Sequence, residues 1–295
     1  MSKKAFFSII FFIISLGICL LIANEYLKRV EIKAINRYLN TLQNEAKSHS
    51  INLTFSPIVC FGFIKHSCKS DRIELDSSNF EGKNVVLKDT SLSIVRLDNK
   101  QIAVQIKIGE ISQNLIFLPK NFAYEIGLQK QDSALGYIMI NHLLDFNIGN
   151  ITGKVNLAIL IRDKRFRNKN ILFLLKEWFD TDKPSFYEYS LESFNITLEA
   201  KGSVDSAFFK ANEENLNNLL SRLNFNNPHL TNFLSATQKL MKNEIKSIAF
   251  NAKRKNANLI FFNTLSPQAT KKKASEIGEI LDSIDESYAV NLKTQ

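Results

Sequence analysis

The chain has 295 residues, of which 45% are hydrophobic and 23% charged, with a formal net charge of +9. That balance belongs to a folded protein and excludes a disordered chain. With only 10 Gly and 5 Pro, collagen-like and low-complexity architectures are excluded as well. The abundance of Phe, Ile, Asn and Lys points to an AT-rich bacterial coding sequence. Basic residues cluster at Arg162–Lys169, Lys253–Lys255 and Lys271–Lys273. No nucleic-acid motif accompanies them, so a solvated basic surface is expected and nucleic acid is not an expected partner.

Residues Ala5 to Ala23 form one uncharged run, AFFSIIFFIISLGICLLIA, preceded by Lys3 and Lys4. As a helix it would span about 28 Å, close to the hydrocarbon thickness of a bilayer. A cleaved signal peptide has a shorter apolar core and a small-x-small site, whereas this run ends in bulky Leu21 and Ile22. Cys19 follows Ile18, where lipoprotein processing needs a small residue. An uncleaved single-span anchor is therefore expected: residues 1–4 as a cytoplasmic tail, 5–23 as the transmembrane helix, and the bulk of the chain in the periplasm. Lys28, Arg29, Lys33 and Arg37 argue against that orientation by the positive-inside rule. The very short leading tail and the cysteine pair considered below favour it.

Residues 24–50 read as an amphipathic stalk helix. Leu27, Val30, Ile35, Tyr38, Leu39, Leu42 and Ala46 recur every three or four residues, and the face they form is expected to pack on the domain, the alternative being a partner helix. Cys60 and Cys68 are the two cysteines outside the apolar run, with Gly62 between them to turn the chain. Two such residues in an exported domain suit one disulfide. Two free thiols are the first alternative. A zinc site with His66 is another, but it needs about four ligands, and the four His are scattered. No metal and no cofactor are expected.

From Ile51 to Gln129 the apolar period becomes two. Val86–Leu97 and Ile102–Ile108 read as a hairpin turned by Asp98, Asn99 and Lys100; Ile73–Leu75, Leu115–Leu118 and Tyr124–Leu128 read as further strands. Ile102, Val104, Ile106 and Ile108 alternate with Gln101, Ala103, Gln105 and Lys107, giving a candidate apolar sheet face. Ser133–Phe146 is expected as a buried helix capped by Asp132 or Ser133. Gly149–Ile161 and Phe186–Ala200 alternate again. Asn170–Phe179 fits either strand or helix, and we take helix. Asn215–Leu223 is expected as a short helix, and Asn226-Asn227-Pro228 as the start of another. Ile245–Arg254 and Asn258–Leu265 look like a second hairpin, and Ser266-Pro267 opens an expected terminal helix facing inward through Ile277, Ile280, Leu281 and Ile284. Consecutive strands without intervening helices imply an antiparallel sheet. No linker divides residues 51–295, which are read as one α+β domain: a mainly antiparallel curved sheet flanked by helices.

Catalytic signatures are missing: there is no P-loop, dinucleotide-binding glycine motif, H-E-x-x-H or G-x-S-x-G. Asn52-Leu-Thr-Phe55, Gly62-Phe-Ile and Ser70-Asp-Arg-Ile-Glu-Leu75, placed after an anchor and an amphipathic helix, resemble the opening of YdgA-like periplasmic proteins. Those proteins are related in style to AsmA-like envelope proteins. The resemblance covers about residues 1–130; the paired cysteines and the second half depart from it. It implies a non-enzymatic inner-membrane envelope protein whose curved sheet holds lipid. The expectation is thus a binding module for lipid or another amphipathic ligand, the alternative being a scaffold or assembly partner of an envelope complex.

Overall fold

The structure is a computed structural model that describes residues 3–63, 65–77, 84–98, 100–112, 119–132, 135–162, 166–170, 188–204, 213, 228–255, 262–263 and 287–295. Side chains of residues 3–19, 77, 188–189, 230 and 262–263 lie outside that description. One uninterrupted helix, α1 (Lys3–Ser48), opens the chain. It contains the expected span Ala5–Ala23, most of whose side chains fall outside the described residues. Among the described residues, no helix is long and apolar enough to cross a membrane.

Strands follow: β1 (Ile51–Phe55) and β2 (Val59–Phe61), then β3 (Ser67–Ser77), β4 (Val85–Leu97), β5 (Gln101–Ser112) and β6 (Asn121–Asp132), which contain the expected Ile73–Leu75, Val86–Leu97, Ile102–Ile108 and Tyr124–Leu128. They continue with β7 (Tyr137–Ile148), β8 (Ile151–Arg162), β9 (Glu188–Ala200), β10 (Ser247–Arg254), β11 (Phe262–Asn263) and β12 (Tyr288–Thr294), with helix α2 (Pro228–Met241) before β10. All belong to one curved antiparallel sheet in the order β1-β3-β4-β5-β6-β7-β8-β9-β10-β12, with β2 on β3 and β11 on β9. α1 lies along β1 and β2: Gln43 Nε2 donates to the Leu53 carbonyl at 2.7 Å, and Asn24 Nδ2 to the Gly62 carbonyl at 3.3 Å. The chain leaving the far end of α1 therefore runs back along it, and the β2–β3 turn returns to the level of Asn24.

Three expectations are corrected. Ser133–Phe146 is not a helix. After a turn at Leu135 and Gly136 it is strand β7, and Asp132 accepts from the Leu135 amide at 3.2 Å within that turn. Ile138, Ile140, Leu144 and Phe146 alternate, but the extra Leu143 imitates a helical spacing. Pairing with β6 on one side and β8 on the other decides for strand, through the two-residue turn Gly149-Asn150. Second, the described residues of the expected strand Asn258–Leu265, Phe262 and Asn263, do not pair with β10. They form β11, which pairs with β9, because both edges of β10 are taken by β9 and β12. Third, the apolar face expected over residues 24–50 packs on the domain only in part: Ile35, Leu39, Leu42 and Ala46 are half-buried, whereas Leu27, Val30 and Tyr38 are exposed. Strand β12 was not foreseen, although Tyr288, Val290 and Leu292 alternate. The helices expected at Asn170–Phe179, Asn215–Leu223 and after Ser266, and the strand Leu115–Leu118, lie outside the described residues. α2 begins at Pro228, as expected, and ends where Asn243 adopts φ 61° and its Oδ1 accepts from the Val204 amide at 2.6 Å.

The register puts apolar residues in rows across one face. One row runs from Cys60 and Cys68 through Leu92, Ile106, Tyr124, Leu144, Val155 and Ile196 to Phe250 and Leu292. The opposite face carries an Asn156, Asn195, Asn251, Asn291 ladder, in which Asn251 donates to Asn195. The apolar face is sealed in patches. Phe166 closes a cluster with Ile102, Leu128, Ile138, Ile140 and Ile161. α2 closes another through Ala236 and Leu240 on Ile151, Val204 and Ile248. A third gathers Val85, Ile108 and Ile111. Ile108 and Ile111 share that cluster because the alternation slips at Gly109, opposite Asp89 in the left-handed region (φ 51°).

Candidate functional site

The four residues expected to form one apolar face are divided by the structure. Ile102 and Ile108 are buried in separate clusters at the two ends of β5. Val104 is half-buried, and Ile106 is 40% exposed. The candidate face is therefore closed at both ends and open in its middle. Around Ile106 the strip continues through half-buried Ile126, Leu144, Val155 and Leu157 on β6, β7 and β8. It ends against the aromatic contacts that link Phe194 to Phe250 (centroids 6.1 Å apart) and Phe250 to Phe233 of α2 (5.3 Å).

One polar pair interrupts this strip. The Tyr124 hydroxyl and His142 Nδ1 share a hydrogen bond at 2.5 Å, and the two rings stack with centroids 6.0 Å apart. Burial pushes the His142 pKa down and the Tyr124 pKa up, so both groups are held uncharged on the apolar face. Sequence reasoning missed both residues. The alternation of Ile138, Ile140, His142 and Leu144 carried the signal, and it was hidden when the segment was read as a helix.

A pH dependence follows. The folded-state pKa of His142 lies below its ordinary value, so the unfolded chain binds more protons in the window just below pH 6.5. The contribution of neutral His142 is complete above that pH and is lost as pH falls through the window. Thermal midpoints measured from pH 8 to 5 should fall less for His142→Gln than for the wild type.

The second predicted site is assembled as expected. Cys60 on β2 and Cys68 on β3 are directly opposed, with Cα atoms 3.9 Å apart and sulfurs paired at disulfide distance. Gly62 turns the loop at φ 102°, and a Cβ there would collide with the Lys65 carbonyl oxygen. Below the loop, His66 is only 3% exposed and both its ring nitrogens are engaged. Nδ1 lies 2.7 Å from Glu31 Oε2 and Nε2 lies 2.9 Å from Asn24 Oδ1, both on α1. Glu31, Cys60 and Cys68 place ligand atoms within 4.8 Å of one another. With the sulfurs joined to each other, the group offers a metal only a carboxylate. His66 is thus a tie between helix and sheet. A hollow of about 250 Å³ on the opposite, polar face lies over Ala103, Gly127 and Asn141, flanked by Arg96 and Glu125 at 3.7 Å. Its polar, charge-paired wall does not suit the apolar ligand expected from the sequence.

No family model matches the chain, and no curated protein matches it.

Proposed function

We propose that this is a non-enzymatic protein anchored in a bacterial inner membrane by Ala5–Ala23, with residues 51–295 in the periplasm, that holds lipid or another amphipathic ligand on the apolar face of its sheet. The observation that carries the reading is the open middle of that face. Ile106 stands 40% exposed between strips of half-buried apolar side chains, while the ends of the same strand are sealed. A partly exposed apolar strip that holds the Tyr124–His142 pair among its described residues suits a ligand that is mostly hydrocarbon with one hydrogen-bonding group. The strip also starts at the cysteine pair, beside Asn24, where the apolar N-terminal run ends. A ligand leaving a membrane at that point would meet an apolar row interrupted by the Tyr124–His142 pair.

Ile106→Asp tests it. Because Ile106 is substantially solvated, the carboxylate can remain in water, and the thermal midpoint should move little. Lipid retained after gentle detergent purification, quantified by mass spectrometry, should fall by about tenfold, the scale of losing roughly 1.4 kcal/mol of binding. A wild-type protein that carries no lipid, yet co-purifies with envelope proteins through this face, would support the scaffold alternative instead.

A further inference from the structure

The β2–β3 tip carries three large apolar side chains pointing outward: Val59 is 49% exposed, Phe61 54% and Phe63 48%. Isolated exposed hydrophobic residues need no explanation, but three on one short pinned loop do. The loop is not free to choose its height. The Gly62 carbonyl accepts from Asn24 Nδ2, and His66 ties the base of the loop to Asn24 and Glu31. Phe61 and Phe63 therefore flank a point level with Asn24, one residue beyond the end of the apolar run. On α1 at the same height, Tyr26 is 66% and Leu27 51% exposed. Exposed Arg29 and Lys65 lie close by in sequence to these groups.

We infer that the disulfide-closed loop is a membrane wedge: Val59, Phe61 and Phe63 insert into the lipid interface beside the anchor, and with Tyr26 form an aromatic belt around its exit. The inference rests on the reading of Ala5–Ala23 as a membrane span. Aromatic side chains settle at the boundary between headgroups and acyl chains, and Arg29 and Lys65 suit anionic headgroups. The cysteine bridge and the His66 tie hold the wedge at fixed height, so the domain would stand on the bilayer at two points instead of swinging from one helix. This places the start of the apolar sheet row at the lipid surface.

The test uses the full chain in vesicles of phosphatidylethanolamine and phosphatidylglycerol, with and without brominated acyl chains. Trp178→Phe removes the only native Trp, and single reporters are introduced as Leu21→Trp, Phe61→Trp, Phe63→Trp and Tyr38→Trp. Tyr38 lies about 21 Å along the helix from Asn24. A linked Cys60–Cys68 peptide verifies the loop in each variant. The wedge requires Phe61→Trp and Phe63→Trp to be quenched by brominated lipid at least about twofold more than Tyr38→Trp, the contrast expected between an inserted and a solvated ring. If both match Tyr38→Trp while Leu21→Trp is quenched, the wedge is wrong and the anchor stands. If Leu21→Trp is not quenched, the anchor reading fails and the wedge with it. If Tyr38→Trp is quenched equally, the whole helix lies on lipid and the wedge is again wrong.

Discussion

Leu240→Ala should lower the free energy of unfolding by about 3–5 kcal/mol, the cost of removing a fully buried leucine and leaving a cavity its neighbours cannot fill. Leu240 is 0% exposed and stands where α2 meets Ile151, Val204 and Ile248. Collapse into the gap is restricted from both sides. Ile248 is held on β10 between β9 and β12, and Val204 is tied by Asn243, whose side chain accepts its amide proton. Denaturant unfolding of the purified full chain measures the effect. Ile106→Ala is the comparison, and it should cost well under half as much, because Ile106 gives up little buried surface. Equal losses at the two positions would mean that the middle of the sheet face is as closed as its end.

His66→Ala should cost about 3 kcal/mol and should act mainly on the attachment of α1. The substitution removes two ring hydrogen bonds at once, one of them to a carboxylate, and it opens a buried site. Hydrogen exchange should rise along residues 24–46 of the helix while the amides of β7 and β8 keep their protection. Glu31→Gln sorts the contributions. A neutral amide can still accept from the ring, so a loss much smaller than that of His66→Ala would identify hydrogen bonding, not charge, as the main term. Uniform loss of protection across the sheet in His66→Ala would mean instead that the helix is integral to the core.

Much of the architecture was legible because local rules and tertiary outcome agree. The Asp98–Lys100 turn, the alternation in β4, β5, β8 and β9, and Pro228 at a helix start each state a local preference that packing then satisfies; the helical period after Ala23 is met by α1, while Leu27, Val30 and Tyr38 of its apolar face stay exposed. The cysteine pair was legible for the same reason: two residues flanking a glycine turn meet wherever the segment folds on itself. β7 was not, because Leu143 beside Leu144 supplies an apolar position to either period, and only hydrogen bonding to β6 and β8 separates them. β11 was misplaced because pairing partners are settled by which strand edges remain free.

Composition and periodicity by themselves determined an apolar N-terminal run leading into an amphipathic helix, an antiparallel sheet, and a bridgeable cysteine pair. They determined that one side of β5 is apolar, since side chains on a strand alternate by geometry. Tertiary structure alone decided which part of that side meets water. Ile102 and Ile106 are the same residue type on the same strand, yet one is 3% and the other 40% exposed. The difference comes from neighbours distant in sequence: Ile102 shares a buried cluster with Leu128, Ile138, Ile140, Ile161 and Phe166. Likewise, His66 is an isolated histidine in the sequence, and it becomes a buried tie only because α1 and the β2–β3 loop run side by side. Burial and hydrogen-bond partnership belong to pairs of segments, so no local pattern can encode them.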